Sequence, residues 1–179
     1  GSRSEETPAA SSYKPTGLKH RNMHTRATEF SEIARDRYDF DPDIEEFPAG
    51  TKTAADAAEA VGCAVGQIAS SIVVETEDGL AVVVTSGANR VDMSLAAEVL
   101  GVEHVSMADA DEVRETAGWS IGGVPPFCHE TAVPVVIDET LFEYDEIWAA
   151  AGTPQAVFEL TPDELESLSG GERAAVAES

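Results

Sequence analysis

The segment Gly118-Trp119-Ser120-Ile121-Gly122-Gly123-Val124-Pro125-Pro126-Phe127-Cys128-His129 sets the strongest limit on how this chain folds. Adjacent glycines permit dihedrals and close backbone approaches denied to other residues. The adjacent prolines then fix φ and withdraw two N–H donors, so neither a helix interior nor a central strand passes through here. The segment reads as a loop, flexible where it begins and stiff where it ends. The amides of Gly122, Gly123, Val124 and Phe127 are expected to remain free to donate. Such donors suit an electron-rich oxygen, for example an ester carbonyl. A plain connection between two strands uses the same residues, and on local composition alone that is the better reading.

Apolar spacing and capping signals divide the rest into short elements. Ala27, Phe30, Ile33, Ala34 and Tyr38 recur at helical spacing, which predicts a helix over 25–37. Ile44 to Phe47 reads as a short strand ended by Pro48-Ala49-Gly50. Thr53 and Asp56 form a capping-box pattern before an alanine-rich helix that Gly62 stops. Gly66-Gln67-Ile68 leads into a strand at Ile72–Val74. Glu77-Asp78-Gly79 then turns the chain into a hairpin partner, Leu80 to Thr85. Asp92 is placed to cap a helix that ends at Gly101, and Asp109 with Glu112 to open another that ends at Gly118. His104 to Ser106, Pro134 to Ile137, Ile147 to Ala150 and Ala156 to Leu160 read as strands. Thr161-Pro162 starts a last helix, and the terminal Ala/Glu/Ser segment is expected to fray. The pattern predicts one α/β (α+β) domain around a mixed, largely antiparallel sheet flanked by short helices.

Residues 1–22 differ in composition and read as an appended tail or disordered extension, with the domain over 23–179. The tail holds Arg3, Lys14, Lys19 and Arg21 with Glu5 and Glu6. That leaves seven basic residues against 32 acidic ones from Met23 onward, with Lys52 the sole lysine. Self-repulsion on this scale is tolerated at molar salt, where the screening length falls to about 3 Å. The surface therefore reads as salt-adapted, as in a halophilic protein, and a DNA partner is not expected. No apolar run has the length of a membrane span, and two cysteines do not make a disulfide framework. A cytoplasmic setting follows as the expectation.

The chemistry-bearing residues are sparse. Cys128 and His129 are neighbours, and adjacent side chains point apart, which argues against a thiol dyad. No compact ligand spacing links Cys63, Cys128, His104 and His129, so no metal is expected. His129, just past the prolines, is placed to line a pocket. Ser70 and Ser71 interrupt an apolar approach to a strand, either as caps or facing a pocket. Asp138 ends a strand, where acids often cap the next turn. Arg90 and Arg114 are candidates for a locally basic patch.

The order of several motifs is more specific than any one of them. Thr53-Ala-Ala-Asp-Ala-Ala, Gly66-Gln67-Ile68, Ser86-Gly87 through Arg90-Val91-Asp92, Ala108-Asp109 with Glu112-Val113-Arg114, Ile121 to His129, Ala149-Ala-Ala-Gly-Thr153 and Leu160-Thr-Pro162 follow one another along the body. In this order, residues 26 to about 170 resemble the YbaK/ProX family of aminoacyl-tRNA deacylases, related to the editing domain of bacterial-type prolyl-tRNA synthetases.

The resemblance implies hydrolysis, in trans, of a mischarged amino acid from a tRNA 3′ end, with a synthetase as a further possible partner and no cofactor. The family's G-x-x-x-P loop holds the aminoacyl group, and Gly122 to Pro126 match it. Its mechanism is substrate-assisted, with a ribose hydroxyl helping to place water. On this pattern Gly122, Gly123 and Val124 would cradle the acyl carbonyl, and Ser70 and Ser71 would meet the adenosine or the water. Phe127, Pro126 and His129 would shape the pocket, with Lys52, Thr53 and Asp138 at its margin. Two positions depart from the family. Ser70 stands where many members carry a lysine that contacts the terminal nucleotide, and Cys128 stands where glycine is common, which is expected to narrow the pocket. The lysine's absence motivates an alternative reading, a non-catalytic module that binds a tRNA end, a synthetase or a small ligand.

Overall fold

The computed structural model describes residues 25–47 and 53–178. Lys52, Met23, the 1–22 segment and Pro48-Ala49-Gly50 lie outside them. Among the described residues, five helices and eight strands form one mixed α/β unit: α1 (Thr25–Tyr38), β1 (Ile44–Glu46), α2 (Ala54–Val61), β2 (Ile68–Thr76), β3 (Gly79–Ser86), α3 (Met93–Leu100), β4 (Val105–Met107), α4 (Ala110–Ala117), β5 (Val135–Asp138), β6 (Ile147–Ala150), β7 (Ala156–Leu160), α5 (Pro162–Ser169) and β8 (Glu172–Ala174). No helix among the described residues is long and apolar enough to cross a membrane.

The helices begin and end where side chains satisfy the orphan backbone groups of their termini. Thr53 and Asp56 close a full capping box on α2, as Thr161 and Glu164 do on α5. Asp92 accepts from the amides of Ser94 and Leu95, and Asp109 from that of Asp111. Gly62, Gly101, Gly118 and Gly170 each take left-handed φ at a helix C-cap.

The sheet runs β1-β7-β6-β2-β3-β5-β8, with β4 also on β2. The β2–β3 hairpin is its longest ladder, from Ala69↔Ser86 to Thr76↔Gly79. Parallel pairing joins β2 to β6, β3 to β5 and β5 to β8, while β1–β7, β6–β7 and β2–β4 are antiparallel. Against one face packs α1, whose Phe30 meets Trp119, Phe127 and Phe158 with ring centroids 4.9–6.3 Å apart. On the other face α3 covers Val74, Ala81, Val83 and Val136, and α2 covers Ile68.

The chain's end does not fray as its composition suggests. Residues 172–174 pair with β5, Val176 is buried in the α3 cluster, and the amides of Asp92 and Glu178 donate across this junction. One apolar anchor and an edge left open on β5 outweigh the polar composition.

Candidate functional site

The cleft originates in an interruption of the sheet. On one edge of β2, β6 pairs only with Ile68 and Ala69, whereas β4 pairs only with Val74 to Thr76. Between them, the edge from Ser70 to Val73 has no strand alongside it. Here a cavity of about 240 Å³ opens. Thr53 and α2 stand on one side, with Ile121, Gly122 and Val124 of the loop facing them. No Asp, Glu, Lys, Arg or His is among the described residues that line it. These residues offer hydroxyls, main-chain groups and apolar contact, but no charge.

The loop's shape follows from its residues. After Gly118 caps α4, the Trp119 indole N–H donates to the Cys128 carbonyl at 2.9 Å. Ser120 to Gly123 then form a turn: the Gly123 amide donates to Ser120 O at 2.9 Å, and Gly122 takes φ +90°. Left-handed φ at the third turn position favours glycine. Gly123 is glycine for another reason, because a Cβ there would lie 2.6 Å from Thr153 Cα. The expectation of a free Gly123 amide is therefore corrected, since the turn consumes it. Past the prolines, His129 Nε2 lies 2.8 Å from Pro125 O and donates to that carbonyl. Burial holds this imidazole below its usual pKa despite the carbonyl contact.

The structure brings Thr53, Ser70, Ser71, Gly122 and Val124 to one cleft and leaves Gly123, Pro126, Phe127, His129 and Asp138 outside its lining. Phe127 is buried among Phe30, Tyr38 and Phe158. With His129, it holds the loop from the rear, and Gly123, Pro126, Phe127 and His129 are absent from the lining. Asp138 also lies away from the cleft. Fully buried, it accepts from the amides of Ser86 and Thr140 and from Asn89 Nδ2 at 3.0–3.1 Å. Burial opposes its ionisation, but these bonds outweigh it and keep the carboxyl below its ordinary pKa. Asp138 thus caps the following 3₁₀ turn.

Ser70 and Ser71 sit inside β2, opposite Thr85 and Val84, and so do not cap a helix-to-strand switch. The Ser71 hydroxyl is buried with no hydrogen-bond partner. Thr53 reaches the cleft, but its Oγ1 already accepts from the Asp56 amide at 3.0 Å.

Cys128 does not narrow the cleft. It faces a separate hollow beside Arg26, Arg37 and Trp119, where burial pushes its thiol pKa up to about 12. Its φ of +68° gives the physical reason a glycine suits this position. Arg114 is not a free cation, because it pairs with Asp111 within its own helix. Among the described residues, no cluster of His, Cys, Asp and Glu is placed to hold a metal ion.

Sequence reasoning missed Met107 and Ile121. These exposed apolar side chains stand at the cleft's margin, on β4 and on the loop tip. An isoleucine inside a four-residue Gly/Ser turn was the available signal.

Comparisons with known proteins agree with this architecture. Residues 48–168 match the family model described as an aminoacyl-tRNA editing domain. Protein YwhH of Bacillus subtilis (strain 168) is 31% identical over 128 residues, covering 71% of this chain and 81% of the relative. EbsC of Enterococcus faecalis (strain ATCC 700802 / V583), provisionally named a Cys-tRNA(Pro)/Cys-tRNA(Cys) deacylase, is 28% identical over 120 residues, covering 66% and 73%. A crystal structure described as a candidate trans-editing enzyme for prolyl tRNA synthetase is 40% identical. Its TM-score is 0.84, with 88% of this chain and all of that one covered.

Proposed function

The chain belongs to the aminoacyl-tRNA editing domain family, and from that premise we propose that it is a trans-editing deacylase that hydrolyses the ester joining a mischarged amino acid to a tRNA 3′ end. The observation that carries this reading is the cleft at the interrupted β2 edge, whose described lining holds no charged side chain and sets Gly122 and Val124 of the loop beside Ser70 and Ser71 of β2. Water adds to the acyl carbon, the bond from that carbon to the ribose oxygen breaks, and the ribose oxygen takes up a proton. The amino acid leaves with its carboxyl group restored. Among the described residues the lining carries no acid or base, which accords with the family pattern in which a ribose hydroxyl of the substrate helps to place the water. The protein contributes position and main-chain donors toward the developing oxyanion. Editing of this kind serves translation because binding alone rejects a missing methylene by only about 1–3 kcal/mol.

Ser70, in the position of the family lysine, meets the terminal adenosine through a hydroxyl. A body this acidic has few cations for phosphate contacts, which favours delivery of the tRNA end by a synthetase partner. The test is release of amino acid from a panel of mischarged tRNAs in molar KCl, including Ala-, Cys- and Ser-charged species. Release that disappears in Gly122→Trp is expected. No release from any member of the panel refutes the reading, and binding of charged tRNA without turnover replaces it with the non-catalytic module that the lysine's absence suggests.

A further inference from the structure

Strand geometry fixes what the uncovered edge of β2 presents. Along a strand, the N–H and C=O of alternate residues point to opposite edges. The Gly87 amide donates to Ile68 O at 2.7 Å, so the even-numbered residues of β2 face β3. The Ala108 amide donates to Val73 O at 3.2 Å on the opposite edge, so the odd-numbered residues face β4 and β6. Ser71 lies midway between the two ladders, which end at Ala69↔Ala149 and begin again at Val74↔Met107. By this register its main-chain N–H and C=O point to the uncovered edge, which neither the β6 ladder nor the β4 ladder reaches. The same residue carries the buried hydroxyl without a partner. Ser71 therefore presents an unclaimed main-chain N–H and C=O at the edge of the cleft, next to a buried hydroxyl that also has no partner. An uncovered strand edge is a template for main-chain pairing, so this edge is suited to an occupant that pairs it.

We propose that Ser71 binds the amino acid through a one-residue β-bridge: its N–H donates to the ester carbonyl oxygen, and its C=O accepts from the α-ammonium. In a hydrogen-bonded antiparallel pair, two residues exchange both bonds in this way, so one α-amino acid has the spacing to satisfy both groups at once. Strand edges capture extended peptides by the same main-chain pairing. The inference rests on the deacylase reading and goes beyond it in two respects. It puts an oxyanion donor on the β2 edge in addition to the Gly122 loop, whose turn has already consumed the Gly123 amide. It also makes a free α-amine a recognition element, independent of the side chain attached to it.

The experiment uses the full chain in molar KCl and two non-hydrolysable probes, 3′-(alanylamino)-3′-deoxyadenosine and its desamino counterpart, 3′-(propionylamino)-3′-deoxyadenosine. Amide ¹H–¹⁵N spectra are recorded during titration, and affinities are measured by calorimetry. The alanyl probe is expected to move the Ser71 amide resonance downfield, and the propionyl probe to bind at least roughly tenfold more weakly, as loss of a hydrogen bond to a charged group implies. Ser71→Ala retains the main-chain bonds and should preserve the preference between the probes. Equal affinity for the two probes, or shifts confined to Gly122 and Val124 with Ser71 unmoved, overturns the bridge. If mischarged tRNA is nonetheless hydrolysed, the deacylase reading stands without it. Absence of both probe binding and hydrolysis overturns both.

Discussion

Substituting Gly123 by alanine tests whether the cleft wall is set by backbone packing. A Cβ at this position would lie 2.6, 2.8 and 2.9 Å from Thr153 Cα, N and C. Ordinary carbon contacts are about 3.5–4.0 Å, so the loop must retreat by roughly 1 Å. The obstruction is backbone, and trimming the Thr153 side chain gives no relief. Overpacking of this sort costs about 1–3 kcal/mol, which lowers Tm by roughly 2–10 °C in a domain of this size. Catalysis should suffer more, because a 1 Å displacement of a positioning group is worth on the order of 100-fold. Gly122→Ala provides the contrast: its nearest neighbour would be Pro154 Cγ at 3.3 Å, and its penalty is the left-handed φ of +90°, about 1–2 kcal/mol. Urea unfolding in 2 M KCl and kcat/KM on a mischarged tRNA give the two readouts. Gly123→Ala with wild-type stability and activity would refute the reasoning.

Three further outcomes follow from the buried groups. Asp138→Ala leaves four donors without their acceptor, and should cost about 1–3 kcal/mol by urea denaturation with the cleft lining unchanged. His129 and Asp138 both have folded pKa values below their unfolded ones, so the unfolded chain binds more protons and acid destabilises the fold. The His129 contribution declines as pH falls below about 6.5, and that of Asp138 below about 3.9, each by at most roughly 1.4 kcal/mol per pH unit. Urea midpoints in molar salt at pH 7.5, 5.5 and 4 should fall in that order, and a flat series contradicts it. Cys128, with its thiol pKa near 12, should resist iodoacetamide at pH 8 until the chain unfolds, while half-buried Cys63 reacts first; peptide mapping distinguishes them.

The local elements were legible because their causes are local. A capping box closes over three residues, as at Thr53–Asp56 and Thr161–Glu164. A glycine C-cap acts within one turn, and a hairpin needs only a turn and two alternating flanks. Ser70 and Ser71 stood out as hydroxyls in an apolar run, but the sequence did not distinguish a cap from a pocket wall. That difference depends on where β4 and β6 stop pairing with β2, which is settled by segments 30 to 80 residues away.

The amino-acid order by itself determined the helices, the β2–β3 hairpin and the Gly-Gly/Pro-Pro loop through short-range sterics and hydrogen bonding, and the order of its motifs carried the family resemblance. Tertiary structure alone decided that β8 closes the sheet, that Asp138 and His129 brace it from behind, and that Gly123 is small for Thr153 rather than for a ligand. It also decided that the sheet is interrupted beside Ser71. Backbone groups that share no sequence neighbourhood compete there for the same edge, and only their joint packing shows which of them is left unpaired.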